Sequence, residues 1–187
     1  MGVPRVSELA PEAIAAAEAK MKRAQAGREC GECTACCTVA AVYELNKPTG
    51  VRCCHLADRC SIYHTRPRSC HAFACNWLLR RDPAQADDLR PDRLGLMFTT
   101  IVTRLGGVLV AWEVWPEARS SEHCQRLLAE LIRRKGVIVL MALSPPGAPS
   151  GAMELRAAPH VSAADLKDLA AAILELQTPV NAEAPAP

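Results

Sequence analysis

The sequence predicts an α+β protein in which an N-terminal helix and a cysteine-rich loop and helix region precede a small, mostly antiparallel sheet with packing helices. Three observations carry this expectation. Nine of the ten cysteines fall between Cys30 and Cys75. The β-rich runs Leu96–Arg104 and Val108–Trp115 flank Gly106-Gly107, a hairpin signal. Two stretches further on carry apolar residues at helical spacing.

Residues 1–27 are alanine-rich, and Ile14, Ala17, Met21 and Ala24 share one face of a helix over 7–26 that Gly27 stops. Residues 28–81 form the cysteine region. Gly31, Asn46, Pro48 and Gly50 make its first half loop-like, with a short strand expected at Thr38–Leu45. Pro67 suits the first turn of a helix, where its missing N–H costs nothing, and that helix is expected to run to about Arg81. Residues 82–93, with two prolines and four acids, read as a linker.

Residues 94–177 read as an α+β module. After the hairpin, Ser120 or Ser121 caps a helix with Cys124, Leu127, Leu128, Leu131 and Ile132 on one stripe, and Gly136 ends it. Val137–Leu143 is a continuous apolar run suited to a buried central strand, and Met153–Ala157 suits an edge strand. Ser162-Ala-Ala-Asp165 opens a last helix with Leu166, Leu169, Ile173 and Leu176 inward. Residues 178–187, rich in proline and alanine, read as a disordered tail.

Composition narrows the function. The formal charge is +2, so charge alone favours neither nucleic acid nor a membrane surface. No stretch approaches the roughly 18 apolar residues of a membrane span. The first residues carry Glu8, Glu12 and Glu18 and lack the apolar core of a signal peptide, so the expected location is the cytoplasm, where thiols stay reduced. The adjacent pairs Cys36-Cys37 and Cys53-Cys54 also fit a disulfide ladder poorly. Metal binding is therefore favoured over disulfides. No phosphate-binding glycine loop, nucleophile elbow or His-Glu-x-x-His motif is present.

Cys30, Cys33 and Cys36 at two-residue spacing let a tight loop wrap thiolates around one centre. Cys37 points away from its neighbour and hints at a second linked metal or a multinuclear cluster. The whole pattern resembles the CxxCxxCC cysteine-cluster family (YkgJ-type), regarded as zinc- or iron-chelating. The matching residues are Cys30-x2-Cys33-x2-Cys36-Cys37, Cys53-x2-Leu56, Cys60-Ser61-Ile62-Tyr63-x2-Arg66-Pro67-x2-Cys70 and Phe73-x-Cys75, all within 28–77. The resemblance implies eight metal ligands: Cys30, Cys33, Cys36, Cys37, Cys53, Cys60, Cys70 and Cys75. These would staple the cysteine region around zinc or iron, as two Cys₄ ions or as iron–sulfur centres. Cys54 is an extra thiol, and His71 stands where an arginine is common in that family. Either could replace one of the eight.

Other residues carry plainer readings. His55 and His64 complete no zinc-finger spacing. Arg66 suits a bond to an anionic sulfur, or an ion pair with Asp58. Ile62, Tyr63 and Phe73 suit a water-excluding shell around a metal. Cys124 sits on its helix stripe as a small core residue, and Arg133-Arg134-Lys135 suits a helix C-terminus. A metal-binding protein with a structural or redox centre is the leading expectation. A metal-dependent enzyme acting on a protein or peptide is the alternative, and a zinc-ribbon-like nucleic-acid or protein adaptor the second.

Overall fold

The computed structural model describes Ala19, residues 28–79, 87–103, 106–143 and 153–177. Apart from Ala19, which is helical, the expected N-terminal helix lies outside the described residues, as does the C-terminal tail. In chain order the elements are α1 (Ala35–Val39), α2 (Arg68–Ala72), α3 (Pro91–Leu94), β1 (Leu96–Thr103), β2 (Gly106–Glu113), α4 (Glu122–Lys135), β3 (Val137–Met141), β4 (Met153–Ala157) and α5 (Ala163–Gln177). The class is α+β. None of the described helices is long and apolar enough to cross a membrane.

The four strands lie in sequence order. β1 and β2 pair antiparallel, β2 and β3 parallel, and β3 and β4 antiparallel. The parallel pair needs a crossover, and α4 supplies it. Thr103 stands opposite Gly106, and Gly106 and Gly107 are the first paired residues of β2. β3 lies between β2 and β4, and β4 is an edge, as their apolar patterns predict.

Alternation along the strands assigns two faces. Leu96, Phe98, Leu109, Ala111, Ile138 and Leu140 pack with Cys124, Leu128 and Leu131 of α4. Val108, Val110, Val139 and Met141 pack with Leu169 and Ile173 of α5 on the opposite face. Ser121 accepts the Cys124 N–H at 3.2 Å as the α4 cap, and the Gly136 N–H donates to Ile132 at the other end. Ser162 accepts the Asp165 N–H at 3.1 Å while its hydroxyl donates to the Asp165 carboxylate at 2.7 Å. At Gly95, φ is +82° and an added Cβ would meet the Trp115 ring at 2.6 Å, so no other residue fits between α3 and β1.

The cysteine region covers the remainder of the α5-facing side. Ala35 and Val39 of α1 bury against Met97 of β1, with Trp112 and Val114 alongside. The strand expected at Thr38–Leu45 is absent. Thr38 and Val39 continue α1, Tyr43–Leu45 form a 3₁₀ turn, and Val42 makes only an isolated bridge to Lys47. The helix expected from Pro67 to Arg81 ends at Ala72. Its continuation is blocked because Phe73 turns extended and the Asn76 N–H donates instead to Phe98 on β1 at 2.8 Å. Residues 87–94, within the expected linker and just past it, form a 3₁₀ turn and α3.

Candidate metal centre

Each cysteine is placed by a short piece of local structure. The Cys33 N–H donates to Cys30 at 3.0 Å, closing the turn that presents both thiols. Cys36 and Cys37 lie on α1, and the Cys37 N–H donates to Thr34 at 2.9 Å. The Cys53 N–H donates to the Cys37 carbonyl at 2.9 Å, which folds the second cysteine run back on the first. Cys60 is held by a bridge to Leu56. Cys70 sits in α2, whose start is tied to Glu44: the Ser69 N–H and hydroxyl donate to its carboxylate at 2.9 and 2.5 Å. Cys75 lies just before Asn76, which is buried and also donates to the Thr100 hydroxyl at 3.2 Å.

All ten cysteines are free thiols. The eight expected ligands face one another electrostatically. Burial pushes the Cys30 thiol up, and neighbouring Cys75 and Cys37 add to it while Arg66 and Arg90 oppose it. Burial likewise raises Cys33 and Cys75, whose sulfurs accept backbone N–H groups, Ala35 and Asp92 on Cys33 and Leu78 and Trp77 on Cys75. Cys36 and Cys37 share a hydrogen bond. Cys36 donates and is pushed well up; Cys37 accepts and is lowered to about 7 against its own burial, helped by Lys47, Cys60 and Arg66. Burial raises Cys70 as well, with Cys37, Cys53 and Cys60 as the next contributors.

The donor chemistry fits a soft or borderline metal: thiolates with backbone N–H donors on sulfur and cations nearby. Among the described residues, no three His, Cys, Asp or Glu side chains already stand as a group that could hold a metal ion. Ligation would require the sulfurs to converge on a shared point near ~2.3 Å from it.

Lys47 is the residue that sequence reasoning missed. It is 7 % exposed, and its ammonium donates to the carbonyl oxygens of Thr38, Ala40 and Pro48 at 3.3, 2.5 and 3.3 Å. Burial lowers its pKa, and the adjacent Cys53, Cys37, Cys36 and Cys70 sulfurs oppose that. A lysine between Asn46 and Pro48 gives no sequence signal for this, because two of its three acceptors, Thr38 and Ala40, come from the end of α1 and reach it only once the chain folds back.

The remaining candidates lie at the margin. Cys54, His64 and His71 are exposed. The Arg66 guanidinium lies 4.1 Å from the Tyr63 ring centroid and donates to the Tyr63 carbonyl at 2.9 Å, and it acts on the Cys30 and Cys37 thiols rather than pairing with Asp58. Tyr63 itself is 47 % exposed, so it shields less than expected, whereas Phe73 packs in the apolar cluster beside Cys75. A cleft of about 400 Å³ opens between the cysteine region and the sheet, lined by Val39, Phe73, Asn76, Met97 and Trp112 among others, with no cysteine in its lining. Comparison with protein-family models gives no match, and neither curated proteins nor solved structures match the chain.

Proposed function

We propose that this chain is a metal-binding protein that holds zinc or iron, as ions or as an iron–sulfur centre, through Cys30, Cys33, Cys36, Cys37, Cys53, Cys60, Cys70 and Cys75. The observation that carries the reading is the fold-back of the second cysteine run onto the first, through the Cys53 N–H to Cys37 carbonyl bond. Cysteines up to 45 positions apart are electrostatic neighbours in a region with few large apolar side chains of its own. The pattern's resemblance to the CxxCxxCC cysteine-cluster family points the same way. Free thiols in this density belong to a reducing compartment, and the cytoplasm is part of the proposal.

The role is structural or redox. Four thiolates close a zinc or iron site and leave no open position for substrate, whereas a catalytic zinc keeps one. The cleft above the sheet has no cysteine in its lining, which gives the enzyme reading no metal to work with there. Anaerobic purification followed by elemental analysis and a visible absorption spectrum tests the proposal. Stoichiometric zinc or iron is expected, with sulfur-to-iron charge-transfer absorption in the visible if the metal is iron on sulfur. Protein that stays metal-free after growth and after anaerobic reconstitution with either metal would reject it.

A further inference from the structure

We infer that the eight thiols divide into two four-cysteine centres, Cys30–Cys33–Cys36–Cys75 and Cys37–Cys53–Cys60–Cys70, which abut at the Cys36–Cys37 peptide and differ in lability. This rests on the metal-binding reading above. The division follows from packing. Cys33, Cys36 and Cys75 lie against the apolar cluster of Ala35, Val39 and Met97, and Cys30 and Cys75 lie against Trp77 and Leu78. None of the other four thiols belongs to either cluster.

The neighbour relations agree with it. Cys30 faces Cys75, Cys33 faces Cys30, Cys36 faces Cys30 and Cys33, and Cys75 faces Cys33. In the other set Cys70 faces Cys37, Cys53 and Cys60, and Cys37 bonds to Cys60 through its sulfur and to Cys53 through its backbone. The sets meet at Cys37, which touches Cys36 and faces Cys30, and at Lys47, which faces Cys36 as well as Cys37, Cys53 and Cys70. Consecutive residues on a helix are turned by about 100° from one another, so Cys36 and Cys37 are suited to serve two centres rather than one. Each set supplies the four thiolates that saturate a tetrahedral zinc or cap a cluster.

The two centres differ in what holds them. The first is braced by the sheet through the Asn76 N–H to Phe98 bond and by the Asp92 N–H on Cys33. The second depends on the 52–61 loop, where Arg52, Cys54, Ala57, Asp58, Arg59 and Ser61 are exposed around Cys53 and Cys60. Lys47 and Arg66 both lower Cys37, but Arg66 also lowers Cys30 and Lys47 also faces Cys36, so these cations are shared by the two sets. Loop-borne ligands open locally at lower free energy than ligands packed on a core, so the second centre exchanges first.

The test uses the full chain, reduced and stripped of metal anaerobically. Titration with Co²⁺ is expected to saturate the thiolate-to-cobalt charge-transfer band at two equivalents. Zinc-loaded protein mixed with a chromogenic chelator is expected to release one equivalent roughly tenfold or more faster than the other. Cys60→Ser removes only the fast equivalent. Cys33→Ser removes the slow one, and because that variant is the more prone to misfold, Cys60→Ser carries the decision. Saturation at one equivalent, release of both equivalents in one phase, or loss of both in Cys60→Ser overturns the division while leaving metal binding intact. Failure to take up either Co²⁺ or Zn²⁺ overturns the metal reading and the division with it.

Discussion

The backbone N–H of Cys53 donates to the carbonyl of Cys37 at 2.9 Å, and this bond decides how two distant cysteine runs meet. The chain between them closes in two further steps. Val42 and Lys47 exchange backbone hydrogen bonds at 2.9 and 3.0 Å, and the Gly50 N–H returns to Val39 at 2.9 Å. Asn46 at the tip takes a left-handed conformation with φ of 49°, a conformation asparagine tolerates better than most residues. The fold-back thus has backbone support of its own, and a metal would add to it.

Metal removal should therefore loosen the cysteine region unevenly. Thiolate–zinc ligation contributes about 10–16 kcal/mol in small peptides, enough to order loops that bury little apolar surface. On stripping, amide exchange should accelerate most in 28–34 and 54–66, less in 37–53, and least in α4 and β3, which share a buried core with Cys124 and Phe98. Hydrogen exchange on loaded and stripped protein measures this. Equal protection of residues 28–79 in both states would contradict a metal staple.

Lys47→Met should destabilise the protein by about 2–4 kcal/mol, because three carbonyl oxygens lose a charged donor inside the protein. Lys47→Arg should restore little, since a planar guanidinium cannot replace a compact ammonium among three converging acceptors. Urea unfolding of the metal-free protein reads the effect without interference from metal affinity. A midpoint unchanged in Lys47→Met would show that the buried ammonium is dispensable.

Much of the sheet was legible in the sequence. Leu128 and Leu131 recur at helical spacing, and Val137 to Met141 is an unbroken apolar run, so period and burial follow from local pattern. The cysteine region was not legible in the same way. Its helix from Pro67 stops because Asn76 finds a better partner on β1, a tertiary choice that no local propensity encodes. Convergence of the eight thiols was expected from the resemblance to the cysteine-cluster family, whereas the proposed division into two sets rests on which of them lie against Met97, Trp77 and Leu78, which no spacing encodes. Lys47 and Glu44 escaped notice because single charged residues in loops carry no pattern.

Cys37 should be the thiol that responds near neutral pH. Its value of about 7 arises because Cys36 donates to it, with Lys47, Cys60 and Arg66 assisting. In metal-free protein, alkylation of Cys37 should reach half its maximal rate near pH 7, and Cys36→Ala should move that midpoint upward. The stability consequences have opposite signs. Cys37, lowered relative to the unfolded chain, contributes stability that is lost as pH falls from about 8.5 through 7. Cys30, Cys33, Cys36, Cys70 and Cys75, all raised, contribute stability that is full below about 8.5 and lost as pH climbs above it. The raised thiols outnumber the lowered one, so the urea midpoint of reduced, metal-free protein should fall between pH 8 and 10. A midpoint that rises over that range would contradict the buried placement of these thiols.

Asn76 and Cys124 make a contrasting pair, since both are buried but only one adjoins a proposed ligand. Asn76 is 2 % exposed and joins Cys75 to β1 through its backbone bond to Phe98 and its amide bond to Thr100. Asn76→Ala leaves the Thr100 hydroxyl without that partner and opens a gap beside Met97, and should cost about 1–3 kcal/mol. Because the change frees the segment that carries Cys75, it should also speed zinc release from the slower centre. Cys124, on the inner face of α4, is fully buried, and its thiol donates to the carbonyl of Leu94, 30 positions away, at 3.3 Å. Cys124→Ala removes one buried sulfur and should cost about 1–2 kcal/mol. Its metal content and release kinetics should match the parent protein, because nothing in its apolar cluster belongs to either cysteine set. Chelator release measured on both variants separates a general loss of stability from a loss of support for the site. Equal acceleration in the two would show that Asn76 acts only through global stability.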